Sequence, residues 1–259
     1  MNDVVLAEQQ ERVVWLTLNR PAVGNALSRE LIDALRTRLN RLRALPELSA
    51  LVLTGAGEKA FCAGADLKER SGFSLAETRE HLVVQSALMD EIEAFPRPVV
   101  AAINGTAVGG GLELALACDL RIATESALLG LPEVRLGIIP AAGGTQRLAR
   151  LCGLARAKEL ILTGRRIDAA TAREMSLVSR AVPAAQLRAE VEKLLSEFEL
   201  AGPLALAQAK QAIDGGWDKP LAEALAWERR CYEGVLQSED REEGLRAFTE
   251  KRKPQFRGR

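Results

Sequence analysis

Glu113 is the one residue of the stretch Pro98 to Cys118 (PVVAAINGTAVGGGLELALAC) that carries a charge at neutral pH. A lone carboxylate in such apolar company needs a reason, because desolvation disfavours its ionised form and raises its pKa. Gly109, Gly110 and Gly111 stand just ahead of it, where backbone can approach a ligand without side chains intervening. A second run of small residues, Ala63-Gly64-Ala65, follows another strand-like segment. Two backbone N–H donors converging from such loops would form an oxyanion hole, the device that stabilises charge developing on a carbonyl oxygen. Glu133 supplies a second carboxylate in the following segment, and either glutamate could act as acid or base if burial raises its pKa. The opposing reading leaves the glycines as turns and each glutamate as a helix cap.

Other chemistries find little support. His81 is the only histidine, lies in a helix-like charged stretch, and reads as a surface or half-buried residue. A Ser-His-Asp or Cys-His site would have to use it, and no GxSxG elbow accompanies it. Cys62, Cys118, Cys152 and Cys231 lie far apart with no CxxC spacing, so neither a zinc site nor a disulfide framework is expected. A dinucleotide fingerprint fails because Leu114 stands where the third glycine belongs. Lys+Arg and Asp+Glu both total 35, a balance that advertises neither nucleic acid nor a membrane surface. The N-terminal MNDVVLAEQQER has no basic region leading into an apolar core, so a cytoplasmic location is the expectation.

The elements that must position these residues come from periodicity and punctuation. A length of 259 residues allows one large domain, or one domain with an appendage. Val13–Leu18, Ala50–Leu53, Val99–Ile103 and Asp119–Ala123 read as strands. Ser28 caps a helix running to about Ala44, with Leu31, Leu35, Leu39 and Leu42 on one face. Arg36, Arg38, Arg41 and Arg43 decorate the rest of it, either as a solvated cationic face or as an RNA-contacting stripe. Another helix begins near Ser74. Strands that each feed a loop and a helix imply an α/β domain with crossover connections up to about residue 150. From Thr145 onward the chain reads almost wholly helical. Those helices need something for their apolar faces to cover, either the first domain or another subunit, and the second choice favours an oligomer.

Five segments in order carry a specific resemblance: NRPAVGNALS (19–28), FCAGADLKE (61–69), AAINGTAVGGGLELALACDLRIA (101–123), GLPEVRLGIIPAAGGTQRL (130–148) and AFTEKRKPQF (247–256). Together they resemble the crotonase (enoyl-CoA hydratase/isomerase) family, and within it the wording is most like the 3-methylglutaconyl-CoA hydratases. The resemblance implies a ββα spiral core over 1–195 and a C-terminal helical trimerisation region over 196–259. It implies a homo-oligomer, a trimer or a dimer of trimers. Ala65 and Gly110 match the residues whose N–H groups hold the thioester oxygen. Glu113 and Glu133 match the pair flanking the catalytic water, the first helping it attack the β-carbon and the second giving the α-carbon its proton. Ala26, Ala63, Asp66 and Leu67 fall in segments that line the coenzyme A groove. Phe248 and Lys251 match tail residues that reach coenzyme A, often from a neighbouring subunit.

The resemblance therefore implies an enoyl-CoA hydratase acting on a short or branched 2-enoyl-CoA, with 3-methylglutaconyl-CoA from leucine degradation as the particular candidate. No metal and no cofactor is expected, since coenzyme A is part of the substrate. A distal carboxylate on that substrate wants a cation, for which Lys68 and Arg70 are candidates. The one departure in the pattern is Ala141 where many relatives have glycine. Two alternatives stand beside this reading: a crotonase-fold enoyl-CoA isomerase, and an RNA-binding protein using the Arg36–Arg43 helix.

Overall fold

The computed structural model describes residues 3–259; Met1 and Asn2, the start of the N-terminal segment read above, lie outside it. The chain opens with β1 Val5–Gln10, β2 Val13–Leu18, α1 Arg29–Arg43, β3 Ala50–Gly55 and β4 Ala60–Cys62. Next come α2 Leu67–Arg70, α3 Leu75–Glu93, β5 Val99–Ile103, β6 Thr106–Val108, α4 Gly110–Ala117, β7 Leu120–Thr124 and β8 Leu128–Gly130. A 3-10 turn at Glu133–Leu136 precedes α5 Gly144–Cys152, α6 Leu154–Thr163, β9 Ile167–Asp168, α7 Ala169–Glu174 and β10 Arg180–Val182. The chain closes with α8 Leu187–Glu199, α9 Pro203–Gly216, α10 Leu221–Leu236 and α11 Glu239–Glu250.

Three times in succession the chain lays one strand in a large sheet, one in a small sheet, and then a helical segment. The large sheet runs β1-β2-β3-β5-β7-β10 and the small one β4-β6-β8-β9. Strands β4, β6 and β8 pair in parallel, so the loops that leave them emerge along one edge of the small sheet. Those loops carry residues 63–65, 109–111 and 131–133. Parallel pairing therefore gathers, at the carboxyl ends of three short strands, the segments that hold the candidate chemistry.

Local chemistry explains the helix starts. Ser28 accepts a hydrogen bond from the Leu31 N–H (3.2 Å), and Ser74 with Glu77 forms a full capping box on α3. Leu31, Leu35 and Leu39 bury the inner face of α1, as their spacing requires. Every residue of α4 is buried, Glu113 included, as a helix otherwise apolar on every side demands.

Two expectations need correction, and one strand carries no readable pattern. The region after Thr145 is not wholly helical: Ile167–Asp168 pairs antiparallel with β8, and Arg180–Val182 adds in parallel to β7. Strands this short have no alternation to read; an existing sheet edge recruits them. Val5–Gln10 also forms a strand, paired along its whole length with β2. Only Val5 of its six residues is buried and Glu8, Gln9 and Gln10 are polar in succession, so no alternation marks it. His81 is not on the surface: it is 2 % exposed, with its ring edge-on to Phe73.

Candidate active site

Two loops meet because glycine allows it. Gly64 and Gly109 hold φ of +93° and +56°, where a side chain would be strained. A Cβ on Gly64 would come within 2.8 Å of the Val108 carbonyl oxygen and 3.3 Å of the Gly110 nitrogen. The Cβ position of Gly110 in turn lies 3.6 Å from the Ala65 nitrogen. The Ala65 and Gly110 N–H groups are thus brought into one small region, as two donors for one oxygen must be.

A second line of backbone supports the first loop. Ala63 N–H donates to Gly24 O (2.8 Å), Leu27 N–H to Gly64 O (2.8 Å) and Asp66 N–H to Leu27 O (3.0 Å). Asn25, itself at φ +57°, donates to the carbonyls of Ala56 (3.0 Å) and Ala60 (2.8 Å), and its Oδ1 accepts from Arg20 N–H. Arg20 then pairs with Asp66 at 2.9 Å, while Asp66 also caps α2. The NRPAVGN segment thereby acts as a brace behind Ala63–Asp66.

The two carboxylates occupy different environments. Glu113 is 2 % exposed, and its Oε1 accepts from Ala142 N–H and Gly144 N–H, each at 2.8 Å. Burial raises its pKa, against the pull of those two N–H groups and of the Arg147 guanidinium. A Cβ on Gly144 would sit 2.9 Å from Glu113 Oε1, so glycine is what lets the helix start come this close. Arg147 ties the same loop down, donating to Ala142 O (3.0 Å) and to Asp90 and Glu93 on α3. Glu133 begins the 3-10 turn after β8. Burial and the nearby Glu113 push its carboxyl up to about 7, and its Oε2 is buried without a protein partner.

That shift makes a stability prediction. A carboxyl whose folded pKa lies above its unfolded value near 4.5 costs stability progressively as pH rises from there through about 7. Glu133→Gln is therefore expected to raise Tm relative to wild type at pH 8, with the difference vanishing at pH 4. Equal Tm values at both pH values would show that Glu133 is not held neutral by the fold.

A cavity of about 1010 Å³ opens over these groups. Ala63, Ala65, Leu67, Gly110, Glu113 and Glu133 all line it. Ala26, Asp66, Lys68, Phe248 and Lys251 do not line it: Ala26 O and the Asp66 carboxylate are both bound by Arg20, and Lys68 is exposed on α2. Phe248 is 86 % exposed on α11, with Lys251 just beyond that helix. Of the two cations considered for a distal carboxylate, Arg70 reaches the cavity wall and Lys68 does not. Sequence reasoning missed Ala142, Gly144 and Arg147, although all fall within PAAGGTQR, a glycine pair opening a helix. It also missed Gln85, which no local pattern singles out.

Of the four arginines Arg36, Arg38, Arg41 and Arg43, the first two are held in ion pairs within the chain and the last two are exposed. Arg36 binds both Glu91 carboxylate oxygens, Arg38 pairs with Asp3, and Arg43 donates to Glu91 O. Among the described residues, no helix is long and apolar enough to cross a membrane.

The doubled sheet, the repeated ββα unit and two small-residue loops over paired glutamates define a crotonase-fold protein. The chain belongs to the enoyl-CoA hydratase/isomerase family, whose profile matches residues 8–259. It is similar to mouse enoyl-CoA hydratase domain-containing protein 2, mitochondrial, at 45 % identity over 98 % of this chain and 87 % of that protein. It is also similar to the enoyl-CoA isomerase/hydratase fer4 of Mycosarcoma maydis, at 44 % identity over 95 % and 93 % of the two chains. The crystal structure of an enoyl-CoA hydratase from Bacillus anthracis superposes with a TM-score of 0.97, at 47 % identity, covering 99 % of this chain and all of that one.

Proposed function

We propose that this protein is an enoyl-CoA hydratase that adds water across the 2,3 double bond of a short or branched 2-enoyl-CoA. The observation that carries the reading is the pair Glu113 and Glu133 at one cavity, with Glu133 pushed up to about 7. The thioester oxygen lies between the N–H groups of Ala65 and Gly110, where charge develops as the enolate forms. Glu113 takes a proton from the attacking water, and Glu133 gives one to the α-carbon. Oε1 of Glu113 is already committed to two N–H donors, so Oε2 faces the water. No further cofactor enters; coenzyme A arrives with the substrate.

3-Methylglutaconyl-CoA, an intermediate of leucine degradation, is the favoured substrate, with Arg70 at the cavity wall as the partner of its distal carboxylate. Phe248 and Lys251 act on coenzyme A held by a second copy of the chain. Ile213, Trp217 and Leu221 are each at least 66 % exposed, and association buries them in a trimer or dimer of trimers. In this scheme residues 1–195 form the spiral core and 196–259 the helical region that assembles it.

A substrate panel tests the reading. Crotonyl-CoA and 3-methylglutaconyl-CoA should both be hydrated, and a 3-enoyl-CoA should be conjugated slowly or not at all. Fast isomerisation without hydration would replace this reaction by the isomerase one. Hydration of crotonyl-CoA but not of 3-methylglutaconyl-CoA would remove only the substrate assignment.

The pair also predicts a pH profile. Hydration needs Glu113 ionised and Glu133 protonated, so kcat/KM should fall as pH rises through about 7. Dehydration of the 3-hydroxyacyl-CoA should fall over the same range, because both directions need the same total number of protons on the pair. A profile flat from pH 6 to 9 would remove Glu133 as the acid.

A further inference from the structure

Gln85 is a polar group at this cavity to which the two-glutamate scheme gives no work. It lies on α3, is 4 % exposed, and shares the cavity wall with Thr78 and Leu82 of the same helix face. Its Oε1 is buried without a protein partner. Buried carboxamides are ordinarily hydrogen-bonded, and an amide recruited for a structural network would have its oxygen engaged. A hydrocarbon side chain would fill the same space without that cost. The oxygen is an acceptor and cannot itself meet a thioester oxygen, so a role toward an acyl ligand at this wall falls to the NH₂ group of the same amide.

The position of the NH₂ group says which part of the ligand. Gln85 Nε2 stands 2.7 Å from the point where a Cβ on Gly110 would lie, and the Ala65 nitrogen stands 3.6 Å from that point. Covalent geometry puts the nitrogen of Gly110 itself about 2.5 Å from it. Three nitrogen donors, two from backbone and one from a side chain, lie around one spot, with Leu27 Cδ1 at 3.2 Å on another side of it. Gln85 Nε2 and the Gly110 nitrogen are within roughly 5 Å of each other, a span that one oxygen accepting a bond of about 2.9 Å from each can bridge.

We infer that Gln85 supplies a third N–H donor to the thioester oxygen, beside the Ala65 and Gly110 backbone groups. This rests on the acyl-thioester reading of the cavity. It extends that reading by making the oxyanion site partly side-chain built, and so removable by substitution without touching the backbone. A Cβ on Gly110 would lie 2.7 Å from Gln85 Nε2 and turn the amide away.

The test uses the full chain and a ligand that does not turn over. Butyryl-CoA labelled with ¹³C at the thioester carbonyl is bound to wild type, Gln85→Met and Gln85→Glu, and its carbonyl stretch is read by infrared difference spectroscopy. Methionine keeps the length and removes the donor; glutamate puts acceptor oxygens in its place. In wild type the bound stretch should lie below that of free butyryl-CoA. In Gln85→Met it should move part of the way back, because two backbone donors remain. Turnover of crotonyl-CoA by Gln85→Met should fall on the order of 100-fold in kcat, with a similar factor for a branched 2-enoyl-CoA. Its Tm should equal or exceed that of wild type, since a buried unpartnered oxygen has been removed.

An unchanged carbonyl band in Gln85→Met would overturn the inference. So would a kcat loss confined to one acyl chain, which would place Gln85 on the tail of the substrate. A lowered Tm with an unmoved band would make its role structural. If wild type hydrates no 2-enoyl-CoA, the hydratase reading fails, and the carbonyl band still decides Gln85. If the band of butyryl-CoA bound to wild type sits at the free value, no donor polarises the thioester and the third-donor role falls with it.

Discussion

Glu113→Gln and Glu133→Gln are each expected to lower kcat for crotonyl-CoA hydration on the order of 1000-fold, with the fold intact. Glutamine is the informative replacement at 113. Its amide oxygen can still accept the N–H groups of Ala142 and Gly144, so the loop stays in place while the charge and the basicity go. Glu113→Ala would instead strand two buried N–H donors, at about 1–3 kcal/mol each, and would confuse lost chemistry with a loosened loop. The double variant should lose much less than the product of the two single losses, because both carboxylates act on one water addition. Stopped-flow or steady-state loss of the 2-enoyl absorbance measures all three. Turnover near wild type in both single variants would show that the water is activated elsewhere.

Gly111→Ala should be severely destabilising. A Cβ there would overlap the Cys62 carbonyl oxygen and lie 2.7 Å from its carbonyl carbon and 2.9 Å from its Cβ. Both sides of this contact are buried: β4 on one and the fully buried α4 on the other. No flexible side chain can yield, so strand and helix must separate, which costs on the order of 4 kcal/mol or more. In a domain of this size that corresponds to a drop in Tm of about 10 °C. Gly72→Ala serves as the control, because its Cβ would meet only the Glu69 carbonyl oxygen at an ordinary 3.6 Å. Thermal unfolding of the two variants side by side should separate them by most of that interval. Indistinguishable Tm values would mean that α4 does not pack on β4 as described.

Both predictions turn on contacts between segments far apart in the chain, and this divides what could be read from residues alone. Wherever one segment carries its own signal, the sequence was enough. The strands Val13–Leu18 and Val99–Ile103, the cap at Ser28, a helix start near Ser74 and the apolar face of α1 come from alternation, capping chemistry and helical spacing. Glu113 stood out for the same reason: a carboxylate in a stretch otherwise without charge is visible without coordinates. The five ordered segments were likewise enough to indicate the family.

Only the tertiary structure decided the rest, because each remaining fact depends on what a residue meets across the fold. The strands β9 and β10 exist because sheet edges were there to pair them. His81 read as a surface or half-buried residue, and only the fold buries it, with Phe73 edge-on to its ring. Arg36 and Arg38 looked like a free cationic stripe until Glu91 and Asp3 took them up. The raised pKa of Glu133 needs burial and the approach of Glu113, neither of which spacing along the chain reports. Gln85 is the sharpest case. On a helical wheel it is one polar residue among several, and only the approach of α3 to Gly110 sets its amide beside the paired N–H groups. Local pattern chooses the elements because backbone hydrogen bonding and side-chain spacing act over a few residues. The site is chosen by parallel pairing of β4, β6 and β8, which brings three distant loops to one edge and closes the apolar surroundings that tune them.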